Sequence, residues 1–232
     1  MKKLRHFTGA IPFFTAVFLN AFVDLGHKIV IQNTVFKLYD GPTQIMLTAL
    51  VNSLILLPFI LLLNPAGFLS DKFRKTEVMR LSAWAAVACT VLITLFYYLG
   101  WFWAAFAMTF LLAAQSAIYS PAKYGYIKEM FGKERLGEGN GVVSALSIVA
   151  ILAGIFIYSV LFETGYRNAS GLESEADVLR AIAPIGFLLI LNSVVEVVMM
   201  YRLPEQLPTG VITEFSWSRY LTGRTFKEDI RP

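Results

Sequence analysis

The sequence predicts an all-α, polytopic membrane protein, and two observations carry that prediction. Of its 232 residues, 56% are hydrophobic and only 16% are charged, and the mean hydropathy is +0.61. Soluble domains usually contain about a quarter charged residues. The apolar residues are also grouped into runs that are long enough to cross a bilayer, which takes about twenty residues in a helix.

Six such runs follow one another, and we expect each to form one transmembrane helix. Their approximate bounds are 10–36, 45–67, 77–99, 101–122, 140–163 and 181–202. They predict a six-helix bundle over residues 1–203, followed by a segment, 204–232, that forms a cytoplasmic linker or a helix on the membrane surface. The basic start of the chain resembles a signal peptide, but no small-x-small cleavage site follows, so an uncleaved first helix is predicted.

Basic residues predict the orientation of the bundle. They cluster before the first run and after the second, fourth and sixth runs, whereas the alternate connections carry only Lys37, Arg167 and Arg180. Because Lys and Arg accumulate in cytoplasmic loops, both termini are predicted to lie in the cytoplasm. The net charge of +4 comes from these clusters. Membrane topology explains it, so we expect no nucleic acid as a partner.

The sequence lacks the signatures of several enzyme and metal sites. A single cysteine, Cys89, excludes a disulfide framework and a multi-cysteine metal site. Neither His6 nor His27 has an Asp five residues later, as glycerolipid acyltransferases require, and there is no Walker-type phosphate loop. We therefore expect no catalytic residue, metal or cofactor within these residues.

Three ionisable residues interrupt the first run, and such groups are costly inside a membrane. Asp24 precedes His27 by three residues and Lys28 by four, so all three can share one helical face. One interpretation is a polar site in a water-filled cavity that binds a charged headgroup or relays ions. The other is a neutralised ion pair that only allows a polar helix to insert.

Two further places carry candidate functional groups. Glu196 is a lone carboxylate in the sixth run, where it pairs with a cation, couples ion movement or lies near the cytoplasmic interface. In the segment 120–125, Pro and Gly bracket Lys123 and Tyr124, which places a positive charge at the mouth of a cavity. The alternative for that segment is a helix end with a snorkelling lysine.

Small residues at four-residue spacing predict close helix packing, since apolar burial alone gives helices in lipid no preference for one another. They recur in the fourth and fifth runs at Ala113, Ser116, Ala117, Ser120, Gly141, Ala145, Ala150 and Gly154.

The polar junction 67–75 resembles the signature loop between helices two and three of the major facilitator superfamily, G-x-L-[AS]-D-[RK]-x-G-R-[RK]. The matching residues are Gly67, Leu69, Ser70, Asp71 and Lys72, while Arg74 stands where a second glycine is expected. The resemblance implies a charge network with the other half of a transporter that stabilises one access state. It assigns this gating role to Gly67, Asp71, Lys72, Arg74 and Lys75.

A closer resemblance covers most of residues 10–202. The runs 18–24 (FLNAFVD), 119–125 (YSPAKYG) and 150–154 (AILAG), with Asn140-Gly141, look like the bacterial lysophospholipid transporters. Members of that family flip lysophospholipid, chiefly lysophosphatidylethanolamine, across the inner membrane for re-acylation. The resemblance implies that Asp24 attracts the headgroup ammonium and Lys123 its phosphate, with Lys28 and Tyr124 as further substrate contacts.

The same family has about twelve helices in two halves, with the pathway between them. We therefore expect this chain to be the N-terminal half, completed by a C-terminal half or a second copy. Two alternatives remain open. One is a proton-coupled transporter of a small polar solute, with His27 and Glu196 as coupling groups. The other is a non-transporting anchor for fused acyltransferase and acyl-carrier-protein synthetase domains, which lie outside these residues.

Overall fold

The computed structural model describes residues 9–204. The basic residues ahead of the first helix and the segment after residue 204 lie outside the described residues. Within the described range the chain forms helices and no strand. The helices are α1 (Ala10–Leu38), α2 (Gly41–Leu61), α3 (Leu63–Lys72), α4 (Lys75–Leu99), α5 (Phe102–Phe131), α6 (Leu136–Arg167), α7 (Glu175–Ile182) and α8 (Ile185–Tyr201).

Five of these helices, α1, α2, α4, α5 and α6, are long and apolar enough to cross a membrane by themselves. The pair α7 and α8 passes the same test together and is bent by 56° at the break between them. Pro184 lies at this break. Because proline has no N–H to donate and its ring crowds the preceding turn, a continuous helix is disfavoured there. The described residues thus contain up to six membrane crossings.

Two helices differ from their predicted bounds in ways that matter for the candidate site. The second run is interrupted at Leu62, and α3 then continues to Lys72, so most of the junction 67–75 is helical. Pro65 cannot donate the helical bond expected at its position, which favours the interruption. The fourth run does not end at residue 122, because α5 continues through Pro121 to Phe131. The segment 120–125 is therefore inside a helix.

The turn between α4 and α5 depends on Gly100, the residue after Leu99. Gly100 has a φ of +73°, and a β-carbon there would lie 2.8 Å from the β-carbon of Ala176. Glycine is the residue that adopts this conformation without strain and without a side chain. The tight connection brings the N-terminal end of α7 against the α4–α5 corner.

Helix α1 lies at the centre of the bundle, where it packs against α6 and α8 most extensively and also against α5 and α2. Helix α4 packs against α5 and α8, and α2 and α3 pack against α5. By contrast, α2 buries only Leu47, Val51 and Pro58 among its 21 residues. The outer faces of α2 and α6 expose large apolar side chains, as expected for surfaces that meet lipid or protein.

The buried apolar residues form two clusters at different depths. The Tyr97 cluster includes Val30, Phe102 and Leu189, and the Tyr126 cluster includes Phe13, Met79, Met130 and Met200. Between them, each of three helices carries buried polar side chains. This polar layer consists of Asn20 on α1, Gln115 and Ser116 on α5, and Ser193 and Glu196 on α8.

Candidate functional site

The candidate site is built around Asp24, which lies on α1 beside the polar layer. The hydroxyl of Ser116 donates to Asp24 Oδ2 at 2.5 Å. The amide of Gln115 donates to the same hydroxyl oxygen at 2.7 Å, which orients the hydroxyl proton towards the carboxylate. The other oxygen, Asp24 Oδ1, is buried and has no hydrogen-bond partner. Asp24 is thus positioned by α5 and retains one acceptor for a ligand.

Lys123 supplies the opposite charge, about two turns beyond Ser116 on α5. Its ammonium lies 5.7 Å from the ring centroid of Tyr119 and 4.9 Å from that of Tyr124. Aromatic faces at this distance stabilise a cation. Within residues 9–204, no carboxylate lies within ion-pairing distance of Lys123, although Asp24 is near enough to interact with it electrostatically.

Asp24 and Lys123 line one cavity of about 320 Å³ between α1, α2, α5 and α6. Tyr124, which is 45% exposed, borders the same space. Polar atoms from Asn20, Ser116, Ser120 and Ser147 contribute to one part of its wall. The remaining wall is apolar and is formed by Ala21, Leu25, Ile55, Phe59, Leu112, Ala113 and Ile151. The cavity therefore combines two separated opposite charges with an apolar surface.

His27 also borders the cavity, but its ring is fully buried and hydrogen-bonded. Its Nε2 lies 3.0 Å from the carbonyl oxygen of Ala105, and its Nδ1 lies 2.7 Å from the hydroxyl of Tyr97. Because a carbonyl only accepts, Nε2 carries the proton, and Nδ1 of the neutral ring accepts from Tyr97. This arrangement explains His27 as a structural link between α1, α4 and α5.

The structure does not bring Asp24, His27 and Lys28 together. Among residues 9–204, no ion pair joins Asp24 to Lys28, so the predicted alternative of a neutralised pair is wrong. Asp24 contacts α5 through Ser116, whereas Lys28 is partly buried and is not among the residues that line the cavity. The three residues face different neighbours because a spacing of three or four residues leaves a wide arc on a helix.

Glu196 lies in the polar layer on α8, and its side chain is 0% exposed. Neither of its carboxylate oxygens accepts a hydrogen bond of good geometry in the described part of the chain, although the Asn20 amide is near enough to act on the carboxylate. Asp24 and Tyr119 are near enough to act on it electrostatically. The position is in the protein interior, between the two apolar clusters.

The junction 67–75 places its charged residues in different environments. Asp71 and Lys72 are exposed at the end of α3, and the Lys72 ammonium lies 5.4 Å from the ring centroid of Phe68. Arg74 is 3.9 Å from Glu77, one turn into α4. Lys75 instead points inward, where its ammonium lies 3.0 Å from a carboxylate oxygen of Glu129 on α5. Gly67 has open space around its α-carbon.

Comparison with known proteins decides the family. The family model described as the Major Facilitator Superfamily matches residues 13–215. This chain belongs to the Major Facilitator Superfamily. The predicted fold class, an all-α polytopic half of such a transporter, is confirmed by this match and by the helical bundle.

Within this superfamily the chain is similar to curated lysophospholipid transporters named LplT. It is 35% identical to that of Photorhabdus laumondii over 42% of the chain and 23% of the relative. It is 29% identical to that of Serratia proteamaculans over 60% of the chain and 33% of the relative. It is 28% identical to that of Yersinia enterocolitica over 71% of the chain and 38% of the relative. The matched stretches thus span less than two fifths of these relatives, and the predicted resemblance to this group is confirmed.

The site of this superfamily member also includes residues that the sequence did not single out. Ser116 lies among small residues whose spacing predicts packing, yet its hydroxyl holds Asp24. Gln115 and Asn20 are polar residues within otherwise apolar runs, and this is the signal that identifies them. Among residues 9–204, no group of three His, Cys, Asp or Glu side chains is arranged to hold a metal ion.

Proposed function

We propose that this chain belongs to a transporter that moves lysophospholipid across the bacterial inner membrane for re-acylation. The observation that supports this most is the pair of opposite charges in one cavity. Asp24 has a free acceptor oxygen and Lys123 has no carboxylate within ion-pairing distance in the described residues, although both line the same space. A zwitterionic headgroup carries the two complementary charges.

In this proposal Asp24 binds the headgroup ammonium and Lys123 binds the phosphate. The ammonium replaces the missing partner of Asp24 Oδ1. The phosphate forms charge-assisted hydrogen bonds with Lys123, which the rings of Tyr119 and Tyr124 keep near the cavity. Lys28 takes no part, because it does not line the cavity.

The single acyl chain of the lysophospholipid would lie against the apolar wall. Ile55 and Phe59 on α2 and Ile151 on α6 contribute to this wall. A small polar solute would leave that surface in contact with water, whereas an acyl chain covers it at a gain of roughly 25 cal/mol per Å². The arrangement therefore favours lipid over the small-solute alternative.

We also propose that both ends of the bundle's chain face the cytoplasm. The three basic residues on the other side are paired with acids: Lys37 with Glu163 at 2.8 Å, Arg167 with Glu163 at 2.7 Å, and Arg180 with Asp177 at 3.8 Å. The connections on the opposite side of the bundle carry more Lys and Arg residues than this side does. The positive-inside rule then supports a cytoplasmic position for the junction 67–75.

A second six-helix unit would complete the pathway in this proposal. The cavity is lined in part by α2 and α6, the two membrane-length helices with the smallest buried share in the described bundle. Asp71 and Lys72 are exposed at the end of α3, where they are free to contact that unit and act as a gate. The second unit would be a C-terminal half or another copy of this chain.

Binding of two lysolipids to the purified chain in nanodiscs tests the headgroup assignment. Lysophosphatidylethanolamine carries an ammonium, whereas lysophosphatidylglycerol does not. We expect Asp24→Asn to weaken binding of the ethanolamine lipid by about tenfold or more, since a hydrogen bond to a charged group contributes about 1.5–3 kcal/mol. Binding of the glycerol lipid should change little. Lys123→Met should weaken binding of both lipids, because both carry a phosphate.

Lys28→Met is the matched control, because it removes a lysine from α1 that does not line the cavity. It should leave both affinities unchanged. Equal binding of the ethanolamine lipid by the wild type and by Asp24→Asn would overturn the assignment. Absence of lysolipid binding by the wild type, with flux of a small polar solute by the complete transporter, would replace lipid as the substrate class.

A further inference from the structure

A second cavity lies in a groove between α4 and α8. It has a volume of about 460 Å³, and its lining residues come from these two helices and from Arg202, which follows α8. The residues that line the Asp24 cavity come instead from α1, α2, α5 and α6. The groove is therefore separate from the proposed headgroup site.

The floor of the groove is apolar. It consists of four valines, Val87 on α4 and Val194, Val197 and Val198 on α8. Val194 and Val198 are 41% and 43% exposed, so this floor is open at the surface of the bundle. Since a helix rises about 1.5 Å per residue, the part of α8 from Val194 to Tyr201 is about 10 Å long. An apolar strip of this length suits a hydrocarbon chain.

One end of the groove is polar and positively charged. Trp84, Tyr201 and Arg202 form this end, and all three side chains are exposed. Because Trp and Tyr have an apolar ring and a polar tip, they are enriched where the hydrocarbon of a bilayer meets the headgroups. Arginine reaches the same depth with its guanidinium directed towards water. The groove thus changes from apolar to cationic along α8, as a phospholipid changes from acyl chain to phosphate.

Contacts between the two helices hold the polar end in place. The indole N–H of Trp84 donates to the Tyr201 hydroxyl at 3.3 Å. The Arg80 guanidinium lies 4.9 Å from the centroid of the Tyr201 ring and donates to the Met200 carbonyl. Because the Tyr201 hydroxyl accepts from Trp84, its own hydrogen is directed away from the indole and can be donated to another oxygen. Arg80 also brings a second positive charge to this end of the groove.

We propose that this groove binds one anionic phospholipid of the surrounding membrane. The guanidinium of Arg202 and the hydroxyl of Tyr201 donate to the phosphate oxygens, and an acyl chain lies along the valines. A headgroup with a net negative charge is preferred, because Arg80 and Arg202 attract it, whereas they repel the ammonium of a zwitterionic headgroup. The inference goes beyond the proposed substrate, since it concerns a different site. In the orientation proposed above, this lipid belongs to the cytoplasmic leaflet.

Native mass spectrometry of the purified chain in detergent tests this site, because it counts the lipids bound to each copy. Phosphatidylglycerol and phosphatidylethanolamine with the same acyl chains differ only in the headgroup. We expect the wild type to bind the first phosphatidylglycerol about fivefold more tightly than phosphatidylethanolamine, as each nearby arginine favours an anionic lipid. Arg202→Met should weaken this binding by about tenfold, as expected when a hydrogen bond to a charged group is lost. Arg135→Met is the matched control, because Arg135 is exposed at the same end of the bundle and pairs with Glu138.

Val198→Trp tests the floor of the groove without a change of charge. The larger side chain fills the space of the acyl chain, so the first phosphatidylglycerol should no longer bind. Val160→Trp is its control, since Val160 is 49% exposed on α6, away from the groove. Arg202→Met and Val198→Trp should leave lysophosphatidylethanolamine binding unchanged, so this inference and the proposed function fail separately.

Equal binding of the two phospholipids by the wild type, with unchanged binding by Arg202→Met, would contradict the inference. A dimer of the wild type that disappears in Val198→Trp would also contradict it, because the groove would then be an interface between copies. A wild type that binds no phosphatidylglycerol would show that the groove is covered by another part of the chain or stays empty, and the inference would be wrong.

Discussion

The ammonium of Lys75 lies 3.0 Å from a carboxylate oxygen of Glu129, and both side chains are largely buried, with 7% and 19% exposed. The pair joins the first residue of α4 to the last turn of α5. It therefore fixes the basic end of the superfamily junction against the helix that carries Lys123. This contact connects the junction 67–75 to the cavity through a single helix.

Lys75→Met should destabilise the bundle markedly. It leaves the Glu129 carboxylate without its cation in a poorly solvated place, and removal of one partner from a buried pair costs about 3–5 kcal/mol. We expect the lower end of that range, because Glu129 is 19% exposed. The free energy of unfolding is measured by denaturant titration in detergent micelles.

Arg74→Met is the control for Lys75→Met, since Arg74 and Glu77 are more exposed and 3.9 Å apart. An exposed pair contributes about 0–1 kcal/mol. Similar losses for the two variants would show that burial of the Lys75–Glu129 pair is not important. The double variant Lys75→Met, Glu129→Gln should recover part of the stability, because the unpaired charge is then removed.

Gly125→Ala should weaken the Lys75–Glu129 ion pair by a change on α5 that crowds the Lys75 side chain. A β-carbon at Gly125 would lie 2.8 Å from Lys75 Cδ and would also collide with Cε. Because the Lys75 stem is held by its ion pair, the side chain must leave its position or the helices must separate. We expect a loss of about 1–3 kcal/mol, typical of overpacking, in the same denaturant titration.

The cost of Gly125→Ala should be much smaller when Lys75 is already alanine, because the collision is then absent. Gly141→Ala is a matched control on α6, where a β-carbon meets open space. It should be neutral or stabilising by up to about 1 kcal/mol, the difference in helix propensity. Additive effects of the Gly125 and Lys75 substitutions would contradict this account.

His27→Phe should reduce the stability of the bundle, because the His27 ring links three helices through its hydrogen bonds. The substitution keeps a ring of similar shape but leaves the buried Tyr97 hydroxyl without its acceptor, which costs about 1–3 kcal/mol. The variant His27→Phe, Tyr97→Phe should recover part of that loss. If transport by the complete protein depends on pH in the wild type but not in His27→Phe, His27 is a coupling group and not only a structural link.

The contact between Tyr39 and Glu175 should stabilise the wild type at neutral pH and lose this effect at alkaline pH, and Tyr39→Phe should lack the effect at every pH. Tyr39 follows α1, and its hydroxyl donates to Glu175 at the start of α7. Partial burial, the hydrogen bond to Glu175 and the charge of Glu175 raise the pKa of Tyr39 to about 12. Because this pKa is higher than in the unfolded chain, the stabilisation is complete below about pH 10 and is lost as the pH rises through about 12.

The measurement is the difference in free energy of unfolding between the wild type and Tyr39→Phe as a function of pH. This difference should be largest below about pH 10 and should shrink towards about pH 12. In a Glu175→Gln background the pH effect should be smaller. A difference that does not vary with pH would contradict the assigned contact.

The apolar runs and basic clusters of the sequence predict the membrane bundle because hydrocarbon solvent imposes helix length and composition directly. The predicted ends of the helices were less accurate near proline and polar residues. The sequence places an end of the fourth helix near Pro121, but α5 continues to Phe131, since proline is tolerated inside membrane helices. Likewise, α3 extends into the junction 67–75.

By itself the sequence determined the helical membrane fold, and it identified Asp24 and Glu196 as unusual charges in apolar runs and Lys123 as a charge just after the fourth run. Only the tertiary structure decided which of them meet. Helical spacing groups Asp24 with His27 and Lys28, whereas the bundle places Asp24 with Ser116 and Lys123 and surrounds His27 with its own partners. Contacts between helices distant in sequence depend on how the helices rotate and pack, which no periodicity along one helix specifies.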